Sequence, residues 1–345
     1  VGTVGVRSTT PRGRRQATNG ALQHKVRQEK SKVEDIKMSI AYISHSDCQL
    51  HDMGHHHPEQ PARLSAINDR LIATGLDMIL HQYDAPLAAR ESLEAVHDAT
   101  YIDEIQAVAP SEGIVWVDGD TAMNPHSLNA ALRAAGAAVL GVDLVMGGRA
   151  KQAFCAVRPP GHHAERHRAM GFCLFNNVAA GAYHALNRHG LERVAIVDFD
   201  VHHGNGTEDI VAGDERLLFC STFQHPFYPH SGYDSKATNV VDAPLAAGSN
   251  GTAFRETIAA RWLPRLEAFA PELGMISAGF DAHQADDMAG LRLVDADYAW
   301  VTRRLCEQAE RSAQGRIVSS LEGGYDLHAL ARCVEAHLKA FLGEN

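Results

Sequence analysis

Hydrophobic positions along this chain form short continuous runs that alternate with longer segments of helical spacing. After Pro61, for example, Leu64, Ile67 and Leu71 recur at helical intervals, and the pattern ends at Gly75, where a helix is expected to stop. The pattern predicts helices over residues 61–75, 93–108, 125–146, 176–188, 252–269, 295–311 and 327–342. It predicts strands over residues 39–44, 153–157, 193–199, 217–222, 273–278 and 316–320.

The predicted strands are largely apolar along their length, which is typical of strands that are buried on both faces. They alternate with helices from about residue 40 to the end, with no low-complexity linker or internal repeat between them. We therefore expect one α/β domain over residues 38–345, with a parallel sheet covered by helices on both sides. In such folds, ligands bind beyond the carboxyl ends of the strands.

Composition is compatible with a folded, soluble protein. Of the 345 residues, 45% are hydrophobic and 21% are charged, which is sufficient for a full α/β core. No apolar run approaches the roughly 20 residues that cross a bilayer, so we expect no membrane partner. The cysteines lack paired spacing, as expected for reduced thiols in a cytoplasmic protein. They are Cys48, Cys155, Cys173, Cys220, Cys306 and Cys333.

Charge is distributed unevenly along the chain. Residues 1–37 carry nine Lys and Arg against three Asp and Glu, which leaves 23 basic and 39 acidic residues in 38–345. The acidic body disfavours nucleic acid as a direct partner and suits a cationic substrate, although solubility alone also explains such a charge. We expect residues 1–37 to be a disordered basic extension. A transit-like presequence, a nucleic-acid tail and an artefact of the assigned start are its possible origins; the last is favoured because Met38 precedes a predicted strand.

Ionisable residues follow several of the predicted strands. Asp198, Asp200 and His202 come at the end of one strand, and they share a face because side chains alternate along a strand. Asp281 follows another buried strand. Asp200, His202 and Asp281 would offer oxygen, nitrogen and oxygen ligands, which suits a catalytic divalent ion with a position open for water. A strand-end Asp is often only a helix cap, so the metal interpretation depends on the convergence of these segments.

Two adjacent histidines, His162 and His163, follow a further predicted strand through a Pro-Pro-Gly turn. Ordinary core histidines are one interpretation of this pair. Their place at a strand end favours acid–base groups directed into the same cleft.

Five motifs in order resemble those of the histone deacetylase family, more closely its class II and bacterial histone-deacetylase-like amidohydrolase branch, with acetylpolyamine amidohydrolases as relatives. They are RPPGHHA at 158–164, GFCLFNN at 171–177, DFDVHHGNGT at 198–207, SAGFDA at 277–282 and LEGGYDL at 321–327. The likeness spans about residues 40–343. It implies the arginase/deacetylase fold, a three-layer α/β/α domain around a parallel sheet of about eight strands.

The resemblance also implies roles for site residues. Asp200, His202 and Asp281 are expected to bind one Zn²⁺ per chain. His163 resembles the general base that takes a proton from the attacking water and later protonates the departing amine. Asn205 is expected behind His163, and an amide holds an imidazolium less well than a carboxylate does, so the base should stay neutral near pH 7.

Two further catalytic positions follow from the resemblance. His162 is expected to be the electrostatic companion of His163, with Asp198 behind it. Tyr325 resembles the phenol that binds the developing oxyanion. A turn tyrosine packed behind two glycines is the alternative for Tyr325. In the family, a Tyr here separates efficient deacetylases from branches that have a His and weak activity on acetyl-lysine.

The resemblance implies a monovalent-cation site beside the Zn²⁺, and we expect K⁺ there. Its ligands would be the side chains of Asp198 and Ser221 and the backbone oxygens of Asp200, His202 and Thr222. A looser match indicates a second such site around Val211 and Asp214.

An acyl-lysine tunnel needs apolar walls that fit a methylene chain. Phe172 and Tyr228 occupy the facing aromatic positions, Gly171 contributes backbone and Met288 is expected near the rim. Asp98 is a candidate for binding the substrate backbone.

Two segments near the expected rim are harder to interpret. His51, His55, His56 and His57 precede a Pro-Glu pair; they form either a surface loop that takes up stray metal or, as in a similar segment of the family, part of the rim. After Asp281 the chain continues Ala-His-Gln-Ala-Asp-Asp-Met, where relatives carry a Gly-Asp-Pro-Leu segment. Substrate preference is therefore open.

We expect a Zn²⁺-dependent amidohydrolase that removes acetyl or short acyl groups from acetyl-lysine in proteins or peptides. Acetylated polyamines are the alternative substrates. An arginase-like two-metal hydrolase shares the strand-end pattern but needs more bridging carboxylates, and a non-catalytic acyl-lysine-binding module is the alternative of a different class. The sequence leaves open the acyl length and whether the chain forms a homo-oligomer.

Overall fold

The computed structural model describes residues 1–5 and 40–344. The chain divides into two compact units, Val1–Met38 and Ser39–Asn345, and every helix and strand described below belongs to the second. The disordered extension expected over residues 1–37 lies, apart from residues 1–5, outside the described residues.

An eight-stranded sheet forms the centre of the second unit, and all its neighbouring strands run parallel. Its strands are β1 Ile40–Ser44, β2 His81–Asp84, β5 Gln152–Cys155, β6 Val194–Asp198, β7 Leu217–Gln224, β8 Val240–Leu245, β9 Leu273–Ala278 and β10 Ile317–Leu321. Their order across the sheet is β2-β1-β5-β10-β9-β6-β7-β8. A short antiparallel pair outside it joins β3 Val115–Trp116 to β4 Ala122–Met123.

The α-helices in the described part of the chain are α1 Asp47–Leu50, α2 Ala62–Thr74, α3 Arg90–Glu94, α4 Ala99–Val108, α5 Ser127–Met146, α6 Asn177–His189, α7 Asn205–Val211, α8 Gly251–Arg261, α9 Leu263–Phe269, α10 Asp295–Ser312 and α11 Leu327–Phe341. A short 3-10 helix, Leu76–Met78, follows α2. Helices cover both faces of the sheet, as two neighbouring residues of β10 show. Val318 packs against Gly141 of α5, whereas Ser319 Oγ on the other face lies 3.0 Å from His337 Nε2 of α11. The three-layer α/β/α prediction is confirmed.

The predicted central strands agree with the structure, but two edge strands were not predicted. β2 is exposed and polar at most positions, and β8 contains Pro244. Edge strands bury less surface and tolerate proline, so they lack the continuous apolar run that identifies a central strand.

Two predicted helices are each divided in the structure. The helix expected over 252–269 breaks between α8 and α9, where Pro264 lies in the first turn of α9. Proline there cannot donate to a preceding turn, so it starts a new helix instead of continuing the old one. The helix expected over 93–108 is interrupted before Ala99, because Asp98 has an extended backbone and donates its N–H to a distant carbonyl.

Helix α5 corrects the expectation that no apolar segment reaches membrane-spanning length. Among the described residues it alone is long and apolar enough to cross a membrane by length and composition. In the structure, 61% of its most apolar window is buried within the protein, and it packs on β1, β5, β10 and α6. This burial is the behaviour of a core helix.

Candidate metal centre and active site

The expected site residues follow the carboxyl ends of β5, β10, β9 and β6, which are neighbours in the sheet. Their segments are residues 158–163, 322–325, 279–281 and 198–205. Segments far apart in the sequence are therefore brought to one edge, where parallel α/β sheets place their ligands.

Asp200, His202 and Asp281 converge at this edge, and their ligand atoms all lie within 4.8 Å of one another. His202 Nδ1 is 3.1 Å from Asp200 Oδ1 and 3.2 Å from Asp281 Oδ2. All three residues are buried. Burial and the negative charge of Asp200 raise the pKa of the Asp281 carboxyl to about 7. Two carboxylates and one imidazole nitrogen in this arrangement suit a single divalent cation.

One oxygen of this cluster lacks the partner that a buried oxygen needs. Asp281 Oδ2 accepts no hydrogen bond within the described residues, and the neighbouring Nδ1 of His202 is hydrogen-bonded to Asp200 Oδ1. The N–H groups of Val201 and Gly323 hold Asp281 Oδ1 and Asp200 Oδ2, at 2.9 and 2.8 Å. A Cβ on Gly323 would collide with the Asp281 carboxylate, so the backbone approaches closely only because this residue is glycine. A bound metal ion fits this cluster because it would satisfy the remaining oxygen.

His163 is held by an amide. Its Nδ1 lies 2.7 Å from Asn205 Oδ1, and because an amide oxygen only accepts, Nδ1 carries the proton and Nε2 is the acceptor. Asn205 Nδ2 donates to Glu165 Oε1 at 2.7 Å, which fixes the orientation of the amide. Burial and the charges of His162 and His202 hold the pKa of His163 well below its usual value. The geometry is that of a neutral base.

His162 is held by carboxylates instead. Its Nδ1 is 2.9 Å from Asp198 Oδ2, and its Nε2 is 3.8 Å from Asp200 Oδ2. Burial lowers the pKa of His162, but the two carboxylates raise it by more, to about 10. The ring centroids of His162 and His163 are 4.0 Å apart. A charged imidazole therefore lies beside a neutral one.

A cavity of about 200 Å³ reaches these groups from the surface. It is lined by Asp120, His163, Gly171, Phe172, His202, Phe227, Tyr228, Met288 and Tyr325. The structure thus brings together all the expected tunnel residues except Asp98. Gly171 has φ +56°, and a Cβ on it would collide with the His163 ring, so a side chain here would displace that ring.

Tyr325 forms part of the cavity wall and is held from several sides. Its ring packs edge-on against Phe172, with centroids 5.9 Å apart, and lies 5.0 Å from the Arg63 guanidinium carbon. The backbone N–H groups of Tyr325 and Asp326 donate to Asp286 Oδ2 at 2.6 and 3.0 Å. Burial raises the pKa of the Tyr325 phenol well above its usual value, so its hydroxyl stays protonated and can donate.

The rim differs from expectation at one position and adds two residues. Asp98 is exposed at the start of α4 and does not line the cavity. Asp120 lines it instead, and its Oδ1 accepts from the Gly171 N–H at 2.9 Å. Phe227 also lines the cavity and stacks on His202, with centroids 5.4 Å apart. Both added residues lie outside the strand-end motifs, so the sequence pattern contained no signal for them.

The histidines of the segment 51–57 lie in different environments, and each of the two interpretations fits some of them. His57 packs edge-on against Phe172, with ring centroids 4.7 Å apart, which places it beside the tunnel wall. His55 and His56 are exposed, whereas His51 is buried. The structure therefore places only His57 against the tunnel wall.

Glu59, in the same segment, forms a fully buried ion cluster that sequence reasoning missed. Arg158 donates to it through Nε and Nη2, the latter at 2.7 Å, and Arg63 donates through Nη1 at 3.1 Å. Arg63 also donates to the backbone oxygens of Glu322 and Gly324. Burial raises the pKa of Glu59, but the neighbouring arginines and His51 hold it well below its usual value. The cluster ties this segment to the turn that carries Tyr325.

Glu322 is a second supporting carboxylate that was not predicted. It is fully buried, and its Oε2 accepts from the N–H groups of Gly161 and His162 at 2.6 and 3.2 Å. Ser277 Oγ donates to its other oxygen at 3.2 Å. Burial raises the pKa of Glu322 to about 7. The residue fixes the backbone from which His162 and His163 project.

Residues expected at the K⁺ site lie together beside the metal centre. Asp198 and Ser221 are register partners on β6 and β7, and Thr222 follows Ser221. Ser221 Oγ lies 3.0 Å from His203 Nδ1. Around the looser second cation position, Asn239 Nδ2 donates to the backbone oxygens of Val211, Asp214 and Leu217, at 2.8, 3.1 and 3.1 Å. An amide nitrogen therefore already donates to these oxygens, and the second cation site stays a prediction.

The structure defines the class of the protein: an α/β protein with a parallel sheet that carries a metal-ligating donor set and a neutral imidazole at its carboxyl edge. Comparison with known proteins identifies the family. The model of the histone deacetylase domain matches residues 57–341. The chain belongs to the histone deacetylase family, and it is a deacetylase, a hydrolase of amide bonds.

The chain is also similar to individual proteins. The chain is 39% identical over 310 residues to an uncharacterized protein of Synechocystis, covering 88% of this chain and 99% of that protein. It is 36% identical over 276 residues to a histone deacetylase-like amidohydrolase of Pseudomonas aeruginosa, covering 78% and 72%. Among solved structures, the HDA15 HD domain matches with a TM-score of 0.84 and 32% identity over 89% of both chains.

Proposed function

We propose that this deacetylase is Zn²⁺-dependent and acts on acetyl-lysine in proteins or peptides. The observation that carries this proposal is the donor set of Asp200, His202 and Asp281, with one buried oxygen left unsatisfied beside an open cavity. A set of oxygen and nitrogen donors without thiolate is typical of catalytic zinc sites. When bound there, Zn²⁺ would polarise the acetyl carbonyl and lower the pKa of water.

His163 is proposed to move the proton. Because its Nδ1–H donates to Asn205 Oδ1, its Nε2 can take the proton of the attacking water and then deliver it to the departing amine. The charged neighbour His162 disfavours a lasting positive charge on His163, which favours this second transfer.

Tyr325 and the aromatic walls are proposed to hold the substrate. The protonated phenol can donate to the carbonyl oxygen as that oxygen becomes negative. Phe172, Phe227 and Tyr228 line the cavity with flat apolar surface that suits the methylene chain of a lysine. Asp120 adds an oxygen acceptor in the wall, and the acidic body attracts cationic peptides.

We also propose that K⁺ binds beside the zinc, between the side chains of Asp198 and Ser221. Their pairing on adjacent strands supports this assignment. A cation there would share the charge of Asp198, so Asp198 would orient His162 without bearing the whole negative charge alone.

A panel of substrates together with a His163→Ala variant tests the proposal. The zinc-loaded enzyme should release acetate from acetyl-lysine peptides, and His163→Ala should lower kcat by about 10²- to 10⁴-fold while keeping its zinc. His167→Ala, an exposed histidine on the same loop, is the matched control and should leave kcat unchanged.

Other outcomes would revise the proposal. Faster turnover of acetylated polyamines would favour the alternative substrate. No turnover of any acylated amine by the zinc-loaded chain would favour a binding module, and near-normal kcat in His163→Ala would assign the base elsewhere.

A further inference from the structure

A second cluster of metal-ligating side chains lies where α5 and α6 end. Asp143 of α5 accepts at its Oδ1 from His184 Nε2 and His189 Nε2 of α6, at 2.8 and 2.7 Å. All three ligand atoms lie within 4.8 Å of one another. Helix α5 leads through a short turn into the first residue of β5. The cluster therefore lies beside the amino ends of the strands, whereas the active site lies at their carboxyl ends. We propose that Asp143, His184 and His189 bind one divalent transition-metal ion such as Zn²⁺.

The donor chemistry supports this assignment. Two imidazole nitrogens and one carboxylate oxygen are ligands that Zn²⁺ and its neighbours prefer, whereas Mg²⁺ and Ca²⁺ prefer oxygen alone. Metal–ligand lengths of about 2.0–2.1 Å place the ligands of a tetrahedral zinc about 3.3 Å apart. The present contacts need to open by only about half an ångström, which partly exposed side chains can accommodate.

The local field also favours a cation. His189 is the last residue of α6, and Asp143 lies in the last turn of α5, so two helix carboxyl ends meet at the cluster. Unpaired carbonyls give such ends partial negative charge. The carboxylate of Asp143 adds its own negative charge at the same place.

The hydrogen bonding within the cluster also favours metal binding. Both imidazoles donate to the same carboxylate oxygen, so the two N–H groups compete for one acceptor. In the other tautomer of each ring the proton is on Nδ1, and Nε2 has a free lone pair. An ion between the three side chains would then replace these two hydrogen bonds with three coordinate bonds. The remaining position faces solvent and would hold water.

Two other clusters within the described residues are less suited to an ion. In one, both ring nitrogens of His203 are already bound, to Ser221 and Glu208. In the other, the carboxylate of Asp295 also pairs with Arg332, whose charge opposes a cation. Within the described part of the chain, the contacts of Asp143, His184 and His189 include neither obstacle.

Zinc counting on the intact chain tests the proposal. After equilibration with Zn²⁺ and removal of free ion, elemental analysis should find about one more zinc per wild-type chain than per His184→Ala/His189→Ala chain. Isothermal titration should show the corresponding binding event disappear. Asp143→Asn keeps both rings and should weaken the same event, so the result does not depend on the double variant alone. His81→Ala/His328→Ala, which removes two exposed histidines elsewhere, is the matched control.

Measurements at the active site distinguish this proposal from the proposed function. Deacetylase activity should be unchanged in the double variant, because the cluster lies beside the amino ends of the strands. Asp281→Ala should lose the catalytic zinc and keep the one at α5 and α6. Equal zinc content in the wild type and the double variant would overturn the proposal, whatever the outcome at the active site.

Discussion

Two buried carboxylate clusters flank the turn at residues 322–324, and they differ in what balances their negative charge. In the first, Glu59 is paired with the guanidinium groups of Arg63 and Arg158. In the second, Asp200 and Asp281 have imidazoles as neighbours but no Lys or Arg within the described part of the chain. The protein supplies the counter-charge of the first cluster and leaves the second incomplete.

This difference distinguishes a cluster that supports the fold from a cluster that can bind an ion. A buried ion cluster with every oxygen paired is complete without a ligand, and it fixes the segments it joins. A buried carboxylate oxygen without a partner is costly, so it is retained where an ion satisfies it. Arg63 connects the two clusters because it donates to Glu322 and Gly324 on either side of Gly323, whose N–H holds Asp200. The complete cluster thereby positions the incomplete one.

Asp281→Ala should have the largest effect on activity. Loss of the ion removes several kcal/mol of transition-state stabilisation, so kcat should fall by on the order of 10⁴-fold or more. Folding should survive, since the change removes a buried carboxylate that no Lys or Arg of the described residues pairs with. Zinc analysis is best done in the His184→Ala/His189→Ala background, which lacks the additional proposed site. There, Asp281→Ala should lose the one remaining ion. Retained zinc and activity in Asp281→Ala would show that the ion at Asp200 and His202 does not need Asp281.

Glu59→Gln should instead act on stability. It leaves two buried guanidinium groups without their full counter-charge, so the free energy of unfolding should fall by about 3–5 kcal/mol. Urea unfolding measures this change, and the zinc content of the folded fraction should stay the same. The exposed pair of Arg90 and Glu94 is the control, because Glu94→Gln should cost less than about 1 kcal/mol. Similar losses in both variants would contradict the structural role of the buried cluster.

Tyr325→Phe tests the residue that touches both regions. Its ring contacts with Arg63 and Phe172 are kept, but the donor to the developing oxyanion is lost. We expect kcat to fall by roughly 10²- to 10³-fold, with little change in substrate binding. A zinc-chelating hydroxamate should bind the variant as it binds the wild type. Full activity in Tyr325→Phe would reduce the tyrosine to a packing residue.

The central strands and the metal donor set could be predicted from sequence because each depends on local pattern. A buried strand shows a continuous apolar run, and parallel topology alone brings Asp200, His202 and Asp281 to one edge. The strand-end position predicted His163 as an acid–base group, whereas its assignment as the general base and the role of Tyr325 came from family motifs, because spacing does not reveal which atoms will face a substrate.

The paired cluster and the rim could not be predicted in the same way. Glu59 and Arg63 look like charges of a surface helix and its preceding turn, and only the fold shows that both are fully buried against Arg158. Asp120 reaches the cavity from a loop with no regular periodicity. Such contacts depend on tertiary packing between distant segments, for which a single sequence carries no periodic signal.

The segment after Asp281, which departs from the family pattern, gives the smallest expected effect. Asp286 is buried there and accepts from the N–H groups of Tyr325 and Asp326 through one oxygen, and from Met288 through the other. It therefore acts as a positioning residue for the phenol, a role that its exposed neighbour Asp287 does not share in the structure.

Asp286→Ala should lower kcat by about 10-fold, because unpaired buried N–H groups cost on the order of 1–3 kcal/mol and the turn carrying Tyr325 would relax. Asp286→Asn keeps an oxygen for the two N–H groups and should recover most of the activity, and Asp287→Ala is the matched control. Zinc content and hydroxamate affinity should be unchanged in all three variants, since the donor set and walls remain. A loss in Asp286→Ala that appears only in KM, or that also removes zinc, would mean that this carboxylate supports the rim or the metal and not Tyr325.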